Sequence, residues 1–227
     1  MGYTHYWRRP LTIPVEIFQA IRLDLERLIL PLADSGVHLA GGLGEGLPVI
    51  TNDDMRFNGV RLCGHPANDA IVIPYPGDDA CGIGPSANAI QDNSDALTTK
   101  IRHRCCNGRC SYETFSFPRR LQLNSAGQPD ANGLYIEYTK TGFRPYDMAV
   151  TAALLIAKRH LRDQFVVHSD GMDRQWSDAK RICQEVLGYG DWFGIVEDPV
   201  EDQWPGKAGT RAVLLRTLIE VQPPALG

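Results

Sequence analysis

Gly2-Tyr3-Thr4-His5-Tyr6-Trp7 opens the chain with rings, a β-branched residue and hydrogen-bonding groups, where an ordinary terminus is frayed and polar. Such a run is costly to leave in water, and it predicts a strand that starts inside the fold. A strand so placed carries Tyr3, His5 and Tyr6 to a ligand site.

Working outward, Pro10 and Pro14 introduce a helix over residues 14–33. Phe18, Ile21, Leu25, Leu28, Ile29 and Leu32 share one face of it, which core packing explains without any function. Residues 34–54 form a glycine-rich connection. Its Gly41-Gly42-Leu43-Gly44-Glu45-Gly46 run fits neither a Walker A loop nor a dinucleotide fingerprint, so it implies no cofactor. Arg56 to Leu62 and Ala70 to Ile73 predict strands, and 75–99 predicts a long solvated insertion.

Tyr112 to Phe117 and Leu134 to Tyr138 alternate as strands, with Asp130-Ala131-Asn132-Gly133 as a turn between them, so a hairpin is expected. Leu134, Ile136 and Tyr138 are then the inward set. A helix over 146–161 is apolar nearly all round and predicts burial. Gln164 to His168 is a short strand, a helix over 172–187 ends at Gly188, and Ala212 to Val221 is either helix or strand. The order predicts one α+β domain over 1–227, a largely antiparallel central sheet packed by three to four helices.

At 227 residues, 43% hydrophobic and 22% charged, the chain is long enough for a real core. A net charge of −4 with mixed signs excludes extended nucleic-acid binding but leaves room for a local basic pocket. No stretch approaches the roughly 18 apolar residues of a membrane span, and no signal-peptide pattern opens the chain. A cytoplasmic protein with six reduced cysteines is therefore expected, and base rates admit a homo-oligomer.

Each candidate site carries a plain alternative. His103, Cys105, Cys106 and Cys110 form a metal-like cluster without paired Cys-x2-Cys spacing; Cys63, His65 and Cys81 complete a zinc site only if the fold brings them near. Ordinary reduced cysteines, with no metal, are the expectation. Lys140-Thr141-Gly142-Phe143-Arg144-Pro145-Tyr146-Asp147 joins a strand to a helix, so Lys140, Arg144 and the helix-start amides either receive an anion or simply cap the helix. Ser169 or Asp170 reads as an N-cap for the helix over 172–187. Glu113 is a candidate acid, base or ribose acceptor, or merely a solvent-facing strand residue.

Several of these motifs resemble a family of uncharacterised bacterial and phage proteins. They are Gly2 to Tyr6, Phe57-Asn58-Gly59, Glu113-Thr114-Phe115, Arg144-Pro145-Tyr146-Asp147, and Ser169-Asp170-Gly171 with Trp176 following. The spread of polar motifs over element ends predicts convergence on one nucleotide-sized pocket, with tyrosines bracketing a base, Asn58 reading a ring edge and Lys140 and Arg144 neutralising phosphate. The leading expectation is a binder of a small nucleotide-like anion, of phage type, sequestering a host defence signal. An enzyme on a similar substrate, with His5 as acid or base and Glu113 or Asp170 as partner, is the second; an inhibitor that captures a host protein is the third.

Overall fold

The computed structural model describes residues 3–65, 70–74, 101–106, 108–122, 127–197 and 211–215. The expected insertion at 75–99 lies outside them. In chain order the strands and helices are β1 (Thr4–Arg9), α1 (Val15–Asp34), β2 (Leu39–Ala40), β3 (Val49–Ile50), β4 (Asp54–Gly59), β5 (Ala70–Pro74), β6 (Ile101–Cys105) and β7 (Phe115–Pro118). There follow β8 (Tyr135–Lys140), α2 (Asp147–Leu161), β9 (Val166–Ser169), α3 (Ser177–Leu187), β10 (Phe193–Glu197) and β11 (Arg211–Leu215).

The opening strand lies within the main sheet, whose order is β10-β11-β9-β1-β8 with every pairing antiparallel. Flanked on both sides, β1 satisfies its backbone groups without water, which suits a strand rich in aromatic residues. Its inward side chains are His5, Trp7 and Arg9, all essentially buried. Arg9 is tolerated there because its guanidinium lies 4.5 Å from the Phe117 ring centre and donates to the Arg119 carbonyl at 3.1 Å.

Helix α1 buries Phe18, Ile21, Leu25, Leu28 and Leu32 of the predicted stripe, while Ile29, at its margin, is only half-buried. Helix α2 is buried on nearly every side from Asp147 to Lys158 and packs against both α1 and α3. Ala149, Ala152, Ala153 and Ala157 keep its surface small enough for that close packing. Gly188 ends α3 in the left-handed conformation at φ 78°. Among the described residues no helix is long and apolar enough to cross a membrane.

Two expectations are corrected. Residues 115–118 and 135–140 do not form a hairpin: β7 pairs with β4 in a second sheet, β2-β4-β3, while β8 pairs with β1. Non-local pairing won because both strands had buried partners elsewhere in the chain. The face of β8 is reversed as well. Tyr138 is 61% exposed, while Thr139 is buried and Glu137 accepts from Trp7 Nε1 at 3.1 Å. The last apolar stretch is a strand as far as it is described, at β11.

The second sheet meets the first through an aromatic cluster. Phe57 and Phe115 are 4.8 Å apart between ring centres, Phe115 and Trp7 5.5 Å, and Phe117 stacks near-parallel with Phe18 at 6.3 Å. Phe117→Ala is expected to cost about 3–5 kcal/mol in urea unfolding, because a fully buried ring in a rigid cluster leaves a cavity that cannot collapse. A loss under about 1 kcal/mol would show that the sheets are not joined there.

Candidate functional site

His5 faces inward where β1 runs between its two neighbours, opposite Thr139 on β8 and Ser169 on β9. Its Nε2 lies 2.7 Å from Asp147 Oδ1 and its Nδ1 2.9 Å from Ser169 Oγ. Asp147, at the start of α2, also accepts the Thr141 hydroxyl and the Arg104 guanidinium. Arg104 comes from β6 and donates through Nε and Nη2 to Asp178 on α3 as well. Side chains of His5, Asp147, Arg104, Asp178 and Ser169 are all fully buried.

Donor and acceptor needs assign the protons. Ser169 Oγ accepts from Gly171 N–H at 2.8 Å and from Trp176 Nε1–H at 3.4 Å, so its own hydroxyl is the donor toward His5 Nδ1. His5 Nε2–H then donates to Asp147. Burial by itself raises the Asp147 carboxyl, but His5, Arg104 and the Thr141 hydroxyl outweigh it and hold the group at about 2. Two carboxylates already flank Arg104, so that guanidinium has little capacity left for an outside anion.

Tyr3 stands over this cluster, its ring edge-on to His5 at 5.1 Å and to Phe143 at 5.0 Å. Its hydroxyl is buried against Ser169 and Gly171 without a hydrogen bond of ordinary geometry. A Cβ at Gly171 would lie 2.2 Å from that oxygen, so only glycine fits. Burial, with Asp147 nearby, pushes the phenol well above its ordinary value.

The 140–147 junction is tied to the same strand: Thr141 and Gly142 N–H donate to the Tyr3 carbonyl at 3.0 and 3.2 Å. Gly142 and Phe143 both adopt positive φ, 57° and 55°. For phenylalanine that conformation costs about 1–2 kcal/mol. It places the Phe143 ring 4.4 Å below the Arg104 guanidinium. Lys140 is exposed, and Arg144 is half-buried with Nη1 donating to the Cys106 carbonyl. The exposed ring of Tyr112 packs on Gly142, 3.4 Å from where a Cβ would stand.

The other residues singled out from sequence fall as follows. Asn58 uses both amide ends internally, donating to the Tyr112 carbonyl at 3.0 Å and accepting Gly59 and Tyr112 N–H at 2.8 and 3.0 Å. Tyr146 is buried and donates to the Glu113 carbonyl at 2.5 Å. Glu113 is exposed and accepts the Lys140 N–H at 2.9 Å. Asp170 accepts the Thr4 N–H at 3.0 Å rather than capping α3, whose start carries no side-chain cap. The amides of Asp147, Met148 and Ala149 are already bonded to the carbonyls three residues back, so the helix start does not offer them to an anion. Tyr6 lies on the opposite face of β1 from His5, beside Tyr138 at 6.3 Å.

A second cluster stands apart from His5. Cys63, His65, Cys106 and Cys110 bring their ligand atoms within 4.8 Å of one another. All four were sequence candidates, Cys63 and His65 on condition that the fold brings them near, which it does; the side chains of His103, Cys105 and Cys81 lie outside the described residues. Arg104 and Asp178 were missed; Thr141 and Tyr112 lay in stretches singled out from the sequence but carried no assigned role, and Trp176 was marked only by the family resemblance and as an inward residue. Comparison with known protein families, with curated proteins and with solved structures finds no match.

Because the folded Asp147 carboxyl titrates near 2 against an ordinary 3.8, its contribution to stability is complete above about pH 4 and is lost as pH falls toward 2. Urea unfolding across that window should show about 2 kcal/mol of acid-labile stability assignable to this group. Asp147→Asn should remove that share of the pH dependence; an unchanged profile in the variant would mean that the carboxylate is not charged in the fold.

Proposed function

We propose that the protein binds a small, anionic, nucleotide-like ligand at the 140–147 junction beside β1, and acts by sequestering it. In a phage, such a ligand would be a host defence signal. Support comes from one observation above all: the exposed ring of Tyr112 packs on Gly142 in a short, strained turn that also carries Lys140 and Arg144. Flat apolar surface beside a few oriented cations suits a base with a phosphate. Glu113 stands next to Lys140 as an acceptor for a sugar hydroxyl. Buried below, the His5 cluster fixes Tyr3 and the turn in place.

This narrows the expected pocket. Tyr6 belongs to the other face of the sheet and Asn58 is occupied within the protein, so Tyr112 takes over the stacking role. Catalysis is the second reading, favoured by the Ser169–His5–Asp147 chain of hydrogen bonds, which has the partners of a general acid or base.

Calorimetry with linear and cyclic nucleotides should show saturable binding of at least one, weakened about tenfold or more in Lys140→Ala and Arg144→Ala. No heat with any of them at high protein concentration would end the ligand reading. Ligand recovered unchanged after denaturation identifies a binder. Altered ligand, with turnover abolished in His5→Gln, identifies a catalyst.

A further inference from the structure

We propose that Cys63, His65, Cys106 and Cys110 bind one zinc ion in a tetrahedral Cys3His centre that locks the turn after β4 to the segment following β6. The site is separate from the ligand reading above and does not depend on it.

The donor atoms already have the spacing of a coordination shell. Cys63 Sγ is 3.2 Å from Cys106 Sγ, Cys106 Sγ is 3.5 Å from Cys110 Sγ, and Cys110 Sγ is 3.5 Å from His65 Nδ1. Around a tetrahedral ion with Zn–S near 2.3 Å and Zn–N near 2.0 Å, neighbouring donors stand about 3.5–3.8 Å apart. Slight expansion suffices to admit the ion. At 3.2 Å the closest sulfurs are far beyond a disulfide bond, and all four cysteines described are free. An iron–sulfur cluster would have to place its own iron and sulfide between the thiolates, and donors this close leave no room for it.

Backbone geometry serves the same end. Gly64, between Cys63 and His65, has φ 75°, and Gly108, between Cys106 and Cys110, has φ 73°. Each pair is thus turned back on itself by a residue free to be left-handed. The halves meet directly, since Cys110 N–H donates to the Val60 carbonyl at 3.1 Å. Gly59 allows it: a Cβ there would stand 2.0 Å from the Cys110 carbonyl oxygen. Three thiolates and one imidazole are a donor set suited to zinc rather than to a hard cation.

The consequence reaches the His5 cluster. Arg104 lies two residues before Cys106, and the Cys106 carbonyl accepts from Arg144. Zinc at this point fixes the exit of β6 and so the entry of Arg104 between Asp147 and Asp178. Its role is structural, as four protein donors leave no open position for substrate.

The test is metal content by mass spectrometry on full-length protein purified without added metal. About one zinc per chain is expected, falling below about a tenth in Cys110→Ser and retained in Cys183→Ser, whose thiol is buried in α3 outside the cluster. His65→Cys should keep the ion, and its cobalt form should gain thiolate-to-cobalt absorption over the wild-type cobalt protein. That variant decides the matter if Cys110→Ser does not fold. Protein that is metal-free and fails to take zinc from a chromophoric chelator would overturn the proposal. So would a Cys63–Cys106 disulfide, iron in place of zinc, or equal zinc loss in Cys183→Ser.

Discussion

Arg104 is the hinge of the structure. One buried guanidinium binds Asp147 at the head of α2 and Asp178 at the head of α3, while Asp147 is shared with His5 of β1 and Thr141 of the junction. Charges taken fully out of water are costly, and an apolar replacement of matched shape is often as stable. What such a network imposes is uniqueness: each partner removed strands another, so the strand, the two helices and the junction have one mutual arrangement. The His5 imidazole extends the same chain to Ser169, and through it to Gly171 and the Trp176 indole.

That constraint organises the surface above it. Tyr3 lies on the cluster and its carbonyl receives two amides of the junction, so the turn that carries Phe143, Lys140 and Arg144 is held by the first strand. Phe143 sits in a strained conformation because its ring is wanted under Arg104. Asn58 and Tyr146 act as struts, bonding the segment around Tyr112 and Glu113 to β4 and to α2. The junction therefore rests on a base held by hydrogen bonds from β1, β4 and α2.

Features with a local period were legible in the sequence. The α1 stripe, the all-round burial of α2, the Gly188 stop and the inward opening strand follow from spacing and chain chemistry alone. Pairings without a local signal were not. Tyr135 to Lys140 alternates equally well on either face, and only Trp7 and Arg9 across the sheet decide that Glu137 points inward. Arg104 reaches partners 43 and 74 residues away, and the metal-like residues beside it give no hint of an ion pair. The residues of the cysteine cluster were legible but their meeting was not, since Cys106 and Cys110 share one turn while Cys63 and His65 arrive from the turn after β4.

The most direct test of this account is a double-mutant cycle on Arg104 and Asp147, with Arg104→Gln and Asp147→Asn made singly and together and unfolding followed in urea. If the buried pair organises the fold, the double variant should be less destabilised than the sum of the singles by about 2 kcal/mol or more. Single effects that add to within about 0.5 kcal/mol would contradict it, showing that the two groups do not depend on each other.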